Sequence, residues 1–479
     1  MRDLAELALD TAQARGADFA DVRALTYRRQ NIFTDDERVA SLRDSVDTGL
    51  GIRVLLNGAW GFAGTSTLSR EAVQAAAAEA CAIAEASATV MRRAVRLAEE
   101  APRQLQFRSN YAVNPFEVPI EDKVGLLLEI NHRLLAPDKI KKAQGYMTLR
   151  QDEKLYANTD GSLLESDVVT TGVQYQATAV GEGDAQTRAY VPPPLTLGYE
   201  NIHAEDLLEN AERVAQQAVE KLSAPESPVG RKDLILDPHN LALTIHESVG
   251  HATELDRVLG YEESLAGRSF ATPDLLNKLD YGSEHVTLRA DNTLENGLAT
   301  HGFDDDGVPG QTWNIVEDGL FVGYGMGREI AAEMGYERSN GTCRADHWSS
   351  IPIVRIPNLS LMPGKQPLTL EELISDTEDG IYIEGMGSFS IDQMRCNFQF
   401  GGDAFWAIKH GKIVGMLKNV TYQAITTDFW NACDAVCDER SWVPNGVLNC
   451  GKGDPMQVSQ MSHGAAPARF RNIQVGDGK

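Results

Sequence analysis

Residues 2–15 place Leu4, Leu7, Ala8 and Ala12 at helical spacing, and Gly16 follows as a stop signal. From Asp21 to Ser66 the pattern becomes strand-like. Asn57-Gly58 falls between Ile52–Leu56 and Ala59–Phe62, the residue pair that a two-residue hairpin turn demands. Ser69 is placed to cap a helix running to about Ala88, with Glu71 near its positive end. The same order then returns. A helix is predicted over about 120–135, strands over 140–180 with a turn at Asn158-Thr-Asp-Gly161, and a helix over about 204–222. Helix, hairpins, helix, twice over, predicts an α+β protein whose N-terminal domain, residues 1–222, is a two-layer α/β structure with antiparallel hairpins. Its halves fall at about 1–100 and 101–222, without visible sequence identity between them.

Residues 223–230, Ser-Ala-Pro-Glu-Ser-Pro-Val-Gly, read as a linker after the long helix. Residues 231–479 then form the expected second domain. It opens with a short strand, Asp233–Leu236, and a helix after Pro238, and continues as mainly β structure. Trp313–Val316 and Leu320–Val322 flank Asp318-Gly319, and Phe405–Ile408 and Lys412–Met416 flank His410-Gly411. Both arrangements predict hairpins.

Composition narrows the function classes. A formal charge of −25 argues against nucleic acid or an anionic membrane as partner. The N-terminal segment is acidic and helix-like, without the apolar stretch of a signal peptide, and no run is apolar enough to span a bilayer; a cytoplasmic protein is expected. Six cysteines scattered over 479 residues suit a reducing compartment rather than a disulfide scaffold.

The chemistry concentrates in the helix after Pro238, at His246-Glu247-Ser-Val-Gly-His251. Neutral imidazole is a good zinc ligand, and a glutamate beside one can take a proton from water. The familiar zinc-peptidase helix spaces its histidines four residues apart; here the spacing is five. At about 100° per residue, four positions return within roughly 40° of the start, whereas five overshoot by about 140°. The two rings share a face only if a π-type bulge absorbs one residue, and Gly250 offers a loosened backbone there. A catalytic zinc site normally has a third protein ligand. Glu254, Asp256, His285, His301 and any of the cysteines are candidates, with Cys450 attractive because it precedes the glycine-rich Gly451-Lys-Gly453. Cys433 and Cys437, spaced i, i+4, are expected to pack in a core, as is Cys81. Asp304-Asp-Asp-Gly307 lacks the ligand spacing of a calcium loop and is expected to be a turn.

Taken together, several segments resemble the TldD/PmbA (modulator of DNA gyrase) metallopeptidase family, and specifically its TldD members. They are His246-Glu-Ser-Val-Gly-His251, Asp304-Asp-Asp-Gly-Val-Pro309, Gly341-Thr-Cys-Arg-Ala345, Ile353-Val-Arg-Ile-Pro-Asn358 with Met362-Pro-Gly364, Cys450-Gly-Lys452, and Gly49-Leu-Gly-Ile-Arg-Val54. The resemblance covers nearly the whole chain. It implies Zn2+ held by His246, His251 and Cys450, with Glu247 as general base in the hydrolysis of unfolded peptides. It also implies a dimer, either of this chain with itself or with a TldE/PmbA-like subunit that lacks the metal motif, and peptide held through pairing with a sheet edge. The rival from another class is a non-catalytic, peptide-binding partner subunit, against which the intact His246, Glu247 and His251 argue. A structural zinc protein would need four closed ligands and no Glu247.

Overall fold

The computed structural model describes residues 1–181 and 183–476. Its first elements follow the hydrophobic pattern closely: α1 (Arg2–Ala14), β1 (Phe19–Asp35), β2 (Arg38–Leu56), β3 (Ala59–Thr65), α2 (Arg70–Ala88) and β4 (Gln104–Arg108). Next come α3 (Ile120–Leu134), β5 (Ile140–Asn158), β6 (Leu163–Gly181), β7 (Asp184–Tyr190) and α4 (Ala204–Ser223). Gly16 takes a φ of +85°, and Asn57 and Gly58 take +51° and +77°, the left-handed pair of the expected hairpin turn. The Ser69 side chain accepts the Ala72 N–H at the start of α2.

The two helix–hairpin–helix units share one sheet, ordered β3-β2-β1-β5-β6-β4 with β7 on β6. β1 and β5, the first long strand of each unit, run antiparallel from Asp21↔Asn158 to Asp35↔Gln144. That pairing of equivalent strands relates the units by a local twofold axis. Strand periodicity then sorts the side chains. Ala20, Val22, Ala24 and Ile32 of β1 and Met147, Leu149, Leu155 and Ala157 of β5 lie on one face, under α1 and α2 at one end and α3 and α4 at the other. The opposite face carries Asp21, Arg23, Arg53 and Tyr156, all buried. A polar strand face is buried only when something pairs with it. Here the second half of the chain supplies the partners.

That half is built on a nine-stranded sheet whose centre is β8 (Gly230–Leu236), parallel to the strand Asp379–Glu384 and antiparallel to Ala468–Val475. α5 (Pro238–Ile245) leaves the end of β8, and a long hairpin, Val443–Lys452 with Gln457–Ala465, packs across it. Both expected hairpins are present: Thr312–Glu317 with Leu320–Phe321, and Ala404–Lys409 with Lys412–Leu417. Their turns put Asp318, Gly319, His410 and Gly411 at positive φ. Cys433 and Cys437 are buried in the core of this half, as expected, although Cys433 starts a strand rather than lying on a helix. Cys81, on the inner face of α2, is buried in the core of the first half.

Asp304–Gly307 is the expected turn, with Gly307 at a φ of +78°, and it also joins the two halves. Asp306 pairs with Arg53 at 2.7 Å, and Asp305 with Lys154 at 2.5 Å and Arg23 at 3.8 Å. Nearby, Trp348 rests on β2. A Cβ on Gly51 would lie 2.1 Å from the Trp348 carbonyl oxygen, and one on Gly49 2.3 Å from its ring, so only glycine fits at either position.

Candidate metal centre

α5 begins as its sequence dictates. Asp237 caps it by accepting the Asn240 N–H at 2.7 Å, and Pro238 occupies the first turn, where no N–H is needed. The helix then widens by one residue. The His251 N–H donates to the His246 carbonyl, five residues back, which is the π-turn that the histidine spacing required. The carbonyls displaced by this turn find other donors: Tyr281 Oη donates to Ser248 O at 2.6 Å and Thr253 Oγ1 to Val249 O at 2.8 Å. Gly250 itself keeps ordinary right-handed angles, φ −53° and ψ −62°. Its glycine serves packing rather than loosening, because a Cβ there would lie 2.9 Å from Ile356 Cδ1.

The π-turn brings the rings of His246 and His251 to 4.8 Å between centroids. Cys450, from the crossing hairpin, completes the cluster, with Sγ 3.4 Å from His251 Nε2. The ligand atoms of His246, His251 and Cys450 all lie within 4.8 Å of one another, and the three side chains are buried.

Hydrogen bonds fix which ring nitrogen is free. His463 Nδ1 donates to the Leu359 carbonyl at 2.9 Å, so its Nε2 is an acceptor; His246 Nδ1 donates to it at 2.8 Å. His246 Nε2 is thereby left with its lone pair. Burial, and then the neighbouring His246, hold His463 well below the usual imidazole range, which keeps it neutral. On the other side His251 Nδ1 meets Glu254 Oε2 at 2.7 Å, freeing Nε2. Glu254 in turn forms an ion pair, Oε1 to Lys452 Nζ at 3.1 Å, and Lys452 also donates to Asp256 at 2.8 Å and to the Val354 carbonyl at 2.8 Å. Burial alone would raise Glu254, but Lys452 and His251 hold it well below the carboxylate range. Burial likewise opposes ionisation of Cys450, yet His246 and then His251 bring its thiol down to about 4. Burial opposes a charge on His251, but Cys450 and then Glu254 raise it to about 9.

Two imidazole nitrogens and a cysteine sulfur form a donor set suited to a zinc-like ion, with the Glu254 carboxylate behind one ring and the His463 imidazole behind the other to orient them. Of the other candidates for third ligand, Glu254 orients His251 and Asp256 holds Lys452. His285 is exposed beside a different cavity, and His301 lies among Asp305 and Arg344. Glu247 lies on the π-turn, buried, with Oε2 accepting from Arg395 Nη1. Burial raises it, but His246, His251 and Arg395 together lower it, so it is ionised. Arg395 and His463 had no signal in the sequence, since neither sits in a recognisable spacing with the helix motif.

A cleft of about 440 Å³ extends to Asn449, the residue before Cys450, although none of the four residues His246, Glu247, His251 and Cys450 lines it. β5 and β6 line one side with Tyr146, Val173 and Tyr175, and Gly446–Asn449, the stretch that runs into Cys450, lines the other. A bulge in the hairpin between Val447 and Cys450 puts Leu448 and Asn449 outside its register.

Comparison with known proteins identifies the family of the chain. Three sequence patterns of one family match in succession: PmbA/TldA metallopeptidase domain 1 over residues 20–84, its central domain over 113–224, and its C-terminal domain over 229–477. A metalloprotease of Methanothermobacter thermautotrophicus is 29% identical over 96% of this chain and 95% of its own length. A zinc metalloprotease TldD homolog of Saccharolobus solfataricus is 21% identical over 97% and 98%. Among solved structures, a Thermotoga maritima protein described as a modulator of a DNA gyrase superposes with a TM-score of 0.79 at 15% identity, covering 99% of this chain and all of its own. TldE from Thermococcus kodakarensis superposes at 0.75 with 17% identity, covering 99% and 100%. With over half its length matched by the C-terminal pattern alone, the chain belongs to the PmbA/TldD metallopeptidase family.

Proposed function

We propose that this chain is a zinc peptidase that hydrolyses unfolded peptides, with His246, His251 and Cys450 holding the zinc and Glu247 acting as general base. The observation that carries the reading is the convergence of three donor atoms within 4.8 Å on the π-turn that bears Glu247. Zinc held there would supply Lewis acidity, making water a stronger acid near neutral pH. Glu247, ionised and buried, takes the proton of the attacking water and returns it to the leaving amine. The name of the Saccharolobus relative and the soft thiolate in the donor set favour zinc over harder cations.

An unfolded chain suits the surroundings. All four residues are at most 7% exposed, so a folded surface cannot reach them. The cleft that ends at Asn449, one residue before Cys450, is lined by a strand whose residues Leu448 and Asn449 stand outside hairpin register, where an extended peptide can pair through its backbone. We further propose that the domains divide at 223–230 and that the chain works as a dimer, with itself or with a TldE/PmbA-like subunit; the matching fold of a TldE supports pairing between subunits of like shape.

The test is metal analysis with cleavage of labelled, unfolded casein, on the tagged chain purified together with any partner it retains. About one zinc per chain is expected. Glu247→Gln should keep the zinc and lose about 10²–10⁴-fold in rate, whereas Cys450→Ser should lose the metal. A fully active Glu247→Gln would sink the base assignment, and full zinc in Cys450→Ser would move the third ligand elsewhere.

A further inference from the structure

The turn that delivers Arg395 to Glu247 is built at a cost in backbone strain. Among the described residues, nine other than glycine take a positive φ; eight are Asn, Asp or His, and the ninth is Arg395, at +62°. Left-handed backbone is rare for a long side chain, and such outliers persist only where surrounding structure over-determines them. The surroundings here do so. Asp392 accepts the N–H groups of Cys396 and Asn397 on its carboxylate and that of Arg395 on its carbonyl. Four successive carbonyls are then anchored from other elements. Gln393 O accepts from Arg257 Nη2 at 3.0 Å, Met394 O from the Phe270 N–H at 3.0 Å, Arg395 O from Thr426 Oγ1 at 2.7 Å, and Cys396 O from the Thr426 N–H at 2.7 Å.

The side chain so aimed reaches Glu247. Among the described residues, the only hydrogen-bond acceptor of its guanidinium is Glu247 Oε2, and its Nε is buried without a partner. Glu247 Oε1 has no hydrogen-bond partner among the described residues, and it is not one of the fully buried unpaired atoms. One carboxylate oxygen is therefore clamped and the other is left free.

We propose that Arg395 is the positioning residue of the peptidase reaction: its guanidinium holds Glu247 by Oε2 and so presents Oε1 to the attacking water. The inference rests on the reading of Glu247 as the general base. The proton of water passes to Oε1 as the water oxygen bonds to the peptide carbonyl carbon and the C=O π pair moves onto oxygen. As that pair re-forms the C=O bond and the C–N bond breaks, the proton passes from Oε1 to the amine nitrogen. Arg395 neither gains nor loses a proton, and its part is to keep the proton-accepting oxygen within reach, where a displacement of about 1 Å costs on the order of 100-fold in rate.

The experiment compares Arg395→Ala, Arg395→Lys, Glu247→Gln and the double variant Glu247→Gln/Arg395→Ala, with zinc content, thermal melting, kcat and KM on unfolded casein. Expected for Arg395→Ala is a fall in kcat of about 100-fold, with KM changed less than about threefold and zinc retained. Arg395→Lys, which restores a cationic donor, should recover about tenfold of the loss without matching the planar guanidinium. Because Arg395 acts through Glu247, adding Arg395→Ala to Glu247→Gln should lower the residual rate no more than about twofold. Wild-type kcat in Arg395→Ala, loss of zinc from it, or a further large loss in the double variant would each overturn the proposal. If Arg395→Ala melts too early to assay, the same comparison is made with Arg395→Gln, and wild-type kcat there has the same force. A fully active Glu247→Gln removes the peptidase reading itself; an inactive Glu247→Gln beside an unimpaired Arg395→Ala removes only the positioning role.

Discussion

His463 lies 217 residues from His246 in sequence, yet it decides which of that ring's nitrogens is free, because its own Nδ1 is committed to the Leu359 carbonyl. A partner of this kind typically contributes 10–100-fold to metal affinity. His463→Leu is therefore expected to weaken zinc binding by about that factor while leaving Cys450 in place, and His463→Gln, which can still accept the His246 N–H, should recover part of it. Competition with a zinc chelator measures both; equal affinity in His463→Leu and the wild type would mean that the His246 tautomer is fixed by something else. At this scale the sequence revealed the residues that define the motif and concealed those that support it. His246, Glu247 and His251 are neighbours on one helix, so their chemistry is legible as a string. His463 and Arg395 reach the cluster from another strand and a turn, and only the packing of the hairpin and of the Asp392–Asn397 turn places them there.

The π-turn is the element on which the cluster depends, and its tightest contact is testable. With the Gly250 Cα facing Ile356, an added methyl would meet Cδ1 at 2.9 Å and Cγ2 at 3.0 Å. Gly250→Ala is expected to destabilise the fold by about 1–3 kcal/mol through overpacking. Combining it with Ile356→Ala, which removes both contacting atoms, should cost less than the sum of the single changes. Thermal unfolding of the four proteins decides it, and strict additivity would show that the two residues do not compete for the same space. Elements whose rules are local were readable in advance: the turns at Asn57-Gly58, Asp318-Gly319 and His410-Gly411, the Ser69 cap, and the need for an extra residue in the His246–His251 turn. The reason for Gly250 was not, because Ile356 is distant in sequence.

At the scale of the molecule, the two halves are joined through charges that a strand pattern would assign to a solvated face. Asp305 is the centre of this contact, between Lys154 and Arg23. Burial would raise its carboxyl, but Lys154 and then Arg23 lower it from 3.8 to about 2. Its folded pKa is thus depressed, so its contribution to stability is complete above the unfolded value and is lost as pH falls from about 4 through about 2. The shift corresponds to about 2 kcal/mol. Asp305→Asn should destabilise the protein by about 3 kcal/mol at neutral pH, since it leaves buried cations without their partner, and the gap from the wild type should close as pH drops below 4. Urea unfolding at pH 7, 4 and 2.5 provides the comparison, and a gap that stays constant over that range would contradict the assignment.

By itself the sequence determined what nearest neighbours and short periods control. That includes the two helix–hairpin–helix units, the β-rich second half, the two histidines and the glutamate of one helix, and the geometric demand for a bulge between them. Tertiary structure decided what depends on segments far apart in the chain. It joined the units edge to edge through β1 and β5, seated Trp348 on Gly49 and Gly51, and turned a polar sheet face into the contact between halves. It also carried Cys450 across α5 to within 3.4 Å of His251, and Arg395 onto Glu247. Periodicity records which face of an element is buried; it does not record what buries it, and at this site the covering segments supply a proposed ligand, the ring partner and the clamp on the carboxylate.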